Sequence, residues 1–232
     1  DGGGWTYEQY LPSHAGTQFK VEQRNDLSIS GWCILALVAG REAGFEMPED
    51  NMRRLVQFLK KSTQADGAGI YADIGTRSGE RGMGMLAVSN VCRRLLGESG
   101  DSYTQKQQRK ALAANAPDWG KVANRQDGSF YYWYYGSIGL LLNKEEQGGA
   151  DHWREWNVGL KNALVNNQCK EGPRRGSFDP LEFWADQGGG GRPRARYARV
   201  PQPLVESLPV GARLRHPTRL RHPAAPRKPR NQ

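Results

Sequence analysis

Apolar residues recur at three- and four-residue spacing over most of the chain, and the pattern breaks at glycine and proline. Ile29, Trp32, Cys33, Ala36, Leu37 and Gly40 share one helical face, which stops at Gly44, a residue suited to a left-handed C-terminal cap. Pro48, Glu49 and Asp50 open a second helix. Proline fits the first turn, and carboxylates suit the positive end of the helix dipole. Its apolar face is Met52, Leu55, Val56 and Leu59; Arg53, Arg54, Lys60 and Lys61 lie opposite and read as a solvated surface. A third helix is predicted from about Gly82 to Leu96, with Met85, Val88, Cys92, Leu95 and Leu96 on one face and Gly97 ending it. Residues 103 to 114 give a weaker, mostly polar helix. Residues 115 to 128 read as a loop, with Pro117, Gly120 and Asp127-Gly128 as punctuation.

Phe130 to Leu142 is apolar or aromatic on every side, so it cannot face water as a surface helix does. Periodicity alone would allow a buried strand, but its length and its helical neighbours favour a buried helix. In the last clear helix Asp151 is the expected cap, and Trp153, Trp156, Leu160, Ala163 and Leu164 form the apolar stripe.

The ends of these hairpins repeat. Leu59 to Tyr71 and Leu164 to Phe178 each give a leucine, a glutamine, a glycine turn and then an aromatic, and Gly3-Gly4-Trp5 looks like the end of another copy. The glutamine can bond orphan backbone groups at the helix end, while the glycine turn folds the aromatic back onto the helices and staples one hairpin to the next.

At these residues the chain resembles the repeat of squalene-hopene cyclases and prenyltransferase β subunits, in which a Leu-x-x-x-Gln helix end precedes a Gly-x-Trp turn. Here Phe178 and Tyr71 stand in place of the Trp, and the turn before Phe178 is expanded. Gly31-Trp32, Ala43-Gly44, Tyr131 to Tyr135 and Trp153 to Asn157 are similar in wording to bacterial prenyltransferase and squalene oxidase repeat proteins. The resemblance covers residues 1 to about 184. It implies an all-α, α/α-toroid fold with inner and outer helices around a cavity. About three hairpins are present, fewer than a closed ring of that family requires, so an incomplete toroid or a fragment is expected. The chain starts without Met in what looks like the middle of a motif, and upstream repeats or a leader are expected to have been removed; the compartment is not legible from this end.

Charge divides the chain in two. Residues 187 to 232 hold eleven Lys/Arg and one acid, Glu206, leaving 22 basic and 23 acidic residues before them. The overall pI of about 9.6 therefore describes the tail. Eight of the 13 prolines fall there, and Arg-Leu-Arg-His-Pro occurs at Arg213 and again at Arg219. The expected organisation is a toroid repeat domain over 1–186 and a disordered Pro/Arg-rich tail over 187–232. Such a tail could bind nucleic acid or another polyanion by counterion release, or represent an out-of-frame end. No stretch approaches the roughly 18 apolar residues of a membrane span. Cys33, Cys92 and Cys169 are odd in number and widely spaced, and read as free, core-packing thiols.

The chemistry implied by the resemblance is mostly missing. The Asp-x-Asp-Asp acid motif of the cyclases is absent, and Glu49-Asp50 and Glu145-Glu146 read as helix-end or solvated carboxylates. The prenyltransferases use Asp, Cys and His to hold zinc, but His14 and His152 have no partners at ligand spacing. Neither metal nor cofactor is expected. Ser28, Ser30 and Ser177 lie in no nucleophile elbow, and Gly188 to Gly191 lacks the Lys-Ser/Thr of a phosphate loop.

Aromatic rings remain as candidates, because they hold apolar chains and attract positive charge to their faces. Trp119, Tyr132, Trp133 and Tyr135 are the expected cavity wall, and the four tyrosines between Tyr131 and Tyr135 need hydroxyl partners wherever they are buried. The expected function is a non-catalytic repeat module that binds an apolar, isoprenoid-like ligand or a protein partner. A cyclase or prenyltransferase fragment lacking its motif is the alternative, and polyanion binding by the tail is a third.

Overall fold

The described residues form seven α-helices, an all-α arrangement. The computed structural model describes residues 3–6, 25–72, 81–123 and 130–178. The described residues contain no strand, only three isolated antiparallel bridges. The tail with its expected disorder, the glycine run at 188–191, His14 and the Asp127-Gly128 turn lie outside the described residues. No described helix is long and apolar enough to cross a membrane.

Helix α1 (Leu27–Glu42) buries Leu27, Ile34 and Val38 together with Ser28, Ser30 and Gly31. This corrects the face expected from the sequence: Trp32 and Ala36 are exposed, and Ile29, Cys33, Leu37 and Gly40 are only half-buried. Leu27 to Gly40 carries no charge, so its pattern marks no solvent side and cannot select the buried one. Helix α2 (Glu49–Lys61) starts with Glu49 and Asp50 and finishes with Lys60 and Lys61, both ends matching the helix dipole. It buries Leu55, Phe58 and Leu59, and Arg53, Arg54, Lys60 and Lys61 are exposed as expected.

Helix α3 (Met83–Leu95) is the centre of the core, with every residue from Met85 to Cys92 buried. Gly97 follows it at φ +94°, as Gly44 follows α1 at φ +92°. Helix α4 (Tyr103–Ala114) is capped by Ser102, whose hydroxyl accepts from the Gln105 amide at 3.2 Å. The expected loop over 115–128 contains a short helix, α5 (Trp119–Ala123), started by Asp118 Oδ1 accepting from the Gly120 amide at 2.8 Å. Five residues are too few to establish a helical period, so α5 leaves no signal in the pattern.

Helix α6 (Phe130–Leu142) is the expected buried aromatic helix. Helix α7 (Gly149–Asn167) begins two residues before Asp151, which sits inside the first turn and pairs with Arg154 at 2.9 Å instead of capping. Gly148, at φ +73°, precedes the helix in its place; a left-handed entry suits glycine.

Helices α3 and α6 form the main interface, and the other helices pack around them. Helix α3 packs between α1 and α6; α2 leans on α3, α4 on α3, α6 and α7, and α7 on α6. Both α2 and α7 run into a glycine turn closed by backbone hydrogen bonds, though the bonding patterns differ. After α2, Ile70 N donates to Ser62 O at 2.8 Å and Gln64 N to Ala68 O at 2.9 Å; after α7, Cys169 N donates to Ser177 O at 2.9 Å. Gln168 Nε2 donates to Gly176 O at 3.0 Å, the backbone bond expected of a glutamine there, whereas Gln64 uses its main chain. The aromatic residues tie these turns to helices, but only Trp5 reaches forward in the chain; Tyr71 and Phe178 reach back, to the start of α1 and to α5 and α6, rather than to the next hairpin as expected. Trp5 O accepts from Asp26 N at 2.7 Å, Tyr71 O accepts from Leu27 N at 2.8 Å, and the buried Phe178 ring packs against Trp119 and Phe130.

A polar seam runs through the core where α3, α4 and α6 meet. Asn90, Gln105, Gln108 and Asn143 are fully buried. Gln105 Oε1 accepts from Asn90 Nδ2 at 2.7 Å and from Asn143 Nδ2 at 3.2 Å, and its Nε2 donates to Asn90 O at 3.0 Å. Gln108 Nε2 donates to Gly67 O at 2.9 Å and to Ser89 Oγ at 3.0 Å, joining the α2 turn to α3. The Oδ1 atoms of Asn90 and Asn143 accept no hydrogen bond. They face the α-carbons of Gly139 and Gly100, where a Cβ would come within 3.0 Å of them. Glycine at those two positions lets these oxygens lie against backbone, a close approach in which Cα–H groups are the available neighbours.

Candidate functional site

Helix α6 has no polar face to give to water, so its rings distribute around three sides and meet three different neighbours. On the first side, Tyr131, Tyr134 and Tyr135 meet Trp32 of α1. The Trp32 indole stacks on Tyr134 with centroids 5.3 Å apart and 28° between planes, and stands edge-on to Tyr135 at 5.3 Å and Tyr131 at 6.2 Å. Such offset and edge contacts are the favoured aromatic geometries. Trp32 is nevertheless 44 % exposed, and Tyr131 and Tyr134 are half-buried. On the second side, Tyr132 packs edge-on to Trp156 at 5.2 Å. On the third, Trp133 meets Phe130 at 5.3 Å and Trp119 at 6.5 Å, with Phe178 completing the cluster.

The four residues nominated from the sequence therefore do not share one wall. Trp119 and Trp133 belong to one cluster, Tyr132 to a second and Tyr135 to a third; Tyr132, Trp133 and Tyr135 are buried and Trp119 half-buried. Sequence reasoning did not nominate Trp32, Tyr131 or Tyr134, the rings of the Trp32 cluster that are not fully buried. A signal was present: Trp32 sits in a stretch, Leu27 to Gly40, that carries no charge and has more apolar positions than one buried face can absorb.

The hydroxyls are satisfied unevenly. Tyr132 Oη donates to Asn115 O at 2.8 Å, and Tyr131 Oη approaches Ser28 O at 3.4 Å. Trp156 Nε1 donates to Ser137 Oγ at 2.9 Å, which in turn donates to Trp133 O at 2.7 Å. Tyr135 Oη is buried with no partner in hydrogen-bond geometry. Burial pushes its phenol far above the ordinary range, and the neighbouring Tyr131, Cys92 and Tyr134 add to the shift. Burial also raises Tyr134 and, on the adjacent turn of α1, the Cys33 thiol. These groups are neutral at physiological pH, which suits an apolar contact surface and gives neither a base nor a thiolate.

Two of the four carboxylates singled out in the sequence, Asp50 and Glu146, have arginine partners. Asp50 pairs with Arg53 beside it, and Glu146 accepts from Arg94 Nη2 at 2.8 Å. His152 lies half-buried in the first turn of α7, and no three His, Cys, Asp or Glu side chains among the described residues are placed to hold a metal ion. All three cysteines are free, Cys92 within the core. Comparisons with protein-family models, with curated proteins and with solved structures find no match to this chain.

Proposed function

We propose that this chain is a non-catalytic helical repeat module of the squalene cyclase and prenyltransferase α/α-toroid type, which binds an apolar, isoprenoid-like molecule on the aromatic face of Trp32, Tyr131 and Tyr134. The observation that carries the reading is the position of Trp32. Its indole is held in place by three tyrosine rings while 44 % of the residue stays open to solvent. A fixed ring offers contact area with little ordering cost, and covering exposed apolar area is worth about 25 cal/mol per Å². One further feature supports the repeat assignment: a turn with a left-handed glycine, Gly67 or Gly176, closed by backbone hydrogen bonds, follows both α2 and α7. The neutral phenols and the structural use of Asp50 and Glu146 agree with a module that binds without reacting.

The test is thermal unfolding of the full chain with squalene or a farnesyl diphosphate analogue. A ligand at a hundred times its Kd stabilises the folded state by about 2.7 kcal/mol and raises the midpoint accordingly. The Trp32→Ala variant is expected to lose that rise while keeping a cooperative transition, since its indole is largely outside the core. An unchanged midpoint with both ligands, or a full rise in the variant, overturns the proposal.

A further inference from the structure

We draw no further inference here: the strongest candidate, the exposed apolar stripe of α1 that runs from Trp32 through Ala36 and Ala39 to Ala43, continues from the aromatic face already described, and nothing in the structure shows what covers it.

Discussion

Gly136 of α6 lies directly against the Trp156 indole of α7; a Cβ there would fall within 3.0 Å of Cη2 and Cζ2. Trp156 is fully buried, edge-on to Tyr132 and hydrogen-bonded to Ser137, so it has no room to retreat. Gly136→Ala is expected to destabilise the fold by ~1–3 kcal/mol through overpacking, despite alanine's helix preference. Gly40, in α1, has nothing within 4 Å of its would-be Cβ. Gly40→Ala should therefore move the other way, by up to ~1 kcal/mol. Denaturant midpoints of the two variants read the pair of signs, and a destabilised Gly40→Ala or a neutral Gly136→Ala contradicts the packing.

Gln105 supports a prediction about charge. Gln105→Glu keeps the shape, and its protonated acid can replace the bond from Nε2 to Asn90 O. The site is fully buried, so the variant's carboxyl is held protonated and its folded pKa rises above the ordinary value of about 4.3. The folded state then binds more protons than the unfolded one above that pH. Stability approaches the parent's below about pH 4.3 and is lost progressively as pH rises. Urea titrations at pH 4.5 and 7.5 should show the gap between variant and parent widening at the higher pH. Lys110→Ala, on the exposed side of the same helix, should stay within ~0.5 kcal/mol at both. A gap independent of pH would mean that the seam admits water.

How much of this was legible depended on whether a residue obeyed the apolar-inside rule. Phe130 to Leu142 announced a buried helix because no solvent face could be drawn on it, and Gly44 and Gly97 marked their helix ends through the backbone conformation they adopt. Gln105, Gln108 and Arg109 broke the rule. A buried amide in a polar run is indistinguishable from a solvated one until its partners are placed, and those partners come from α3, α6 and the turn after α2. The same limit applied to the site: α6 was identified as aromatic, but the division of its rings among three neighbours follows from helix packing, which local sequence does not encode. The exposure of Trp32 is illegible for the converse reason: Leu27 to Gly40 carries no charge, and its only polar side chains, Ser28 and Ser30, are themselves buried.

Tyr135 and Cys92 set the alkaline limit of the fold. Both are fully buried, and desolvation raises each above its ordinary value. Above about pH 8.5 for the thiol and about 10 for the phenol, the unfolded chain releases protons that the folded chain keeps. Stability present below those values falls as pH rises, by ~1.4 kcal/mol per pH unit for each group once its unfolded form is ionised. Tyr135→Phe removes one contribution and a buried hydroxyl whose neighbouring hydroxyl, that of Tyr131, is not in good hydrogen-bond geometry, so it should be neutral or stabilising at pH 7 and should lessen the loss between pH 9.5 and 11. Identical pH profiles for parent and variant would contradict a buried, protonated Tyr135.

Arg109 ties two loops together from inside the core. Its Nη1 donates to Gly100 O at 2.5 Å, before α4, and its Nη2 to Gln147 O at 3.1 Å, before α7. The residue is only 1 % exposed, and burial lowers its pKa, opposed by the charges of Asp101 and Glu146. The planar fork spans two carbonyls that a single ammonium cannot reach together. Arg109→Lys should therefore cost ~1–3 kcal/mol, as at least one carbonyl loses its donor. Arg109→Met should lose both bonds but avoid burying a poorly paired charge, so it should be no worse than Lys. Hydrogen exchange then separates this role from general packing: faster exchange confined to the loops before α4 and α7 fits a tie, whereas uniform acceleration through α3 and α6 would show that Arg109 acts as core filling instead.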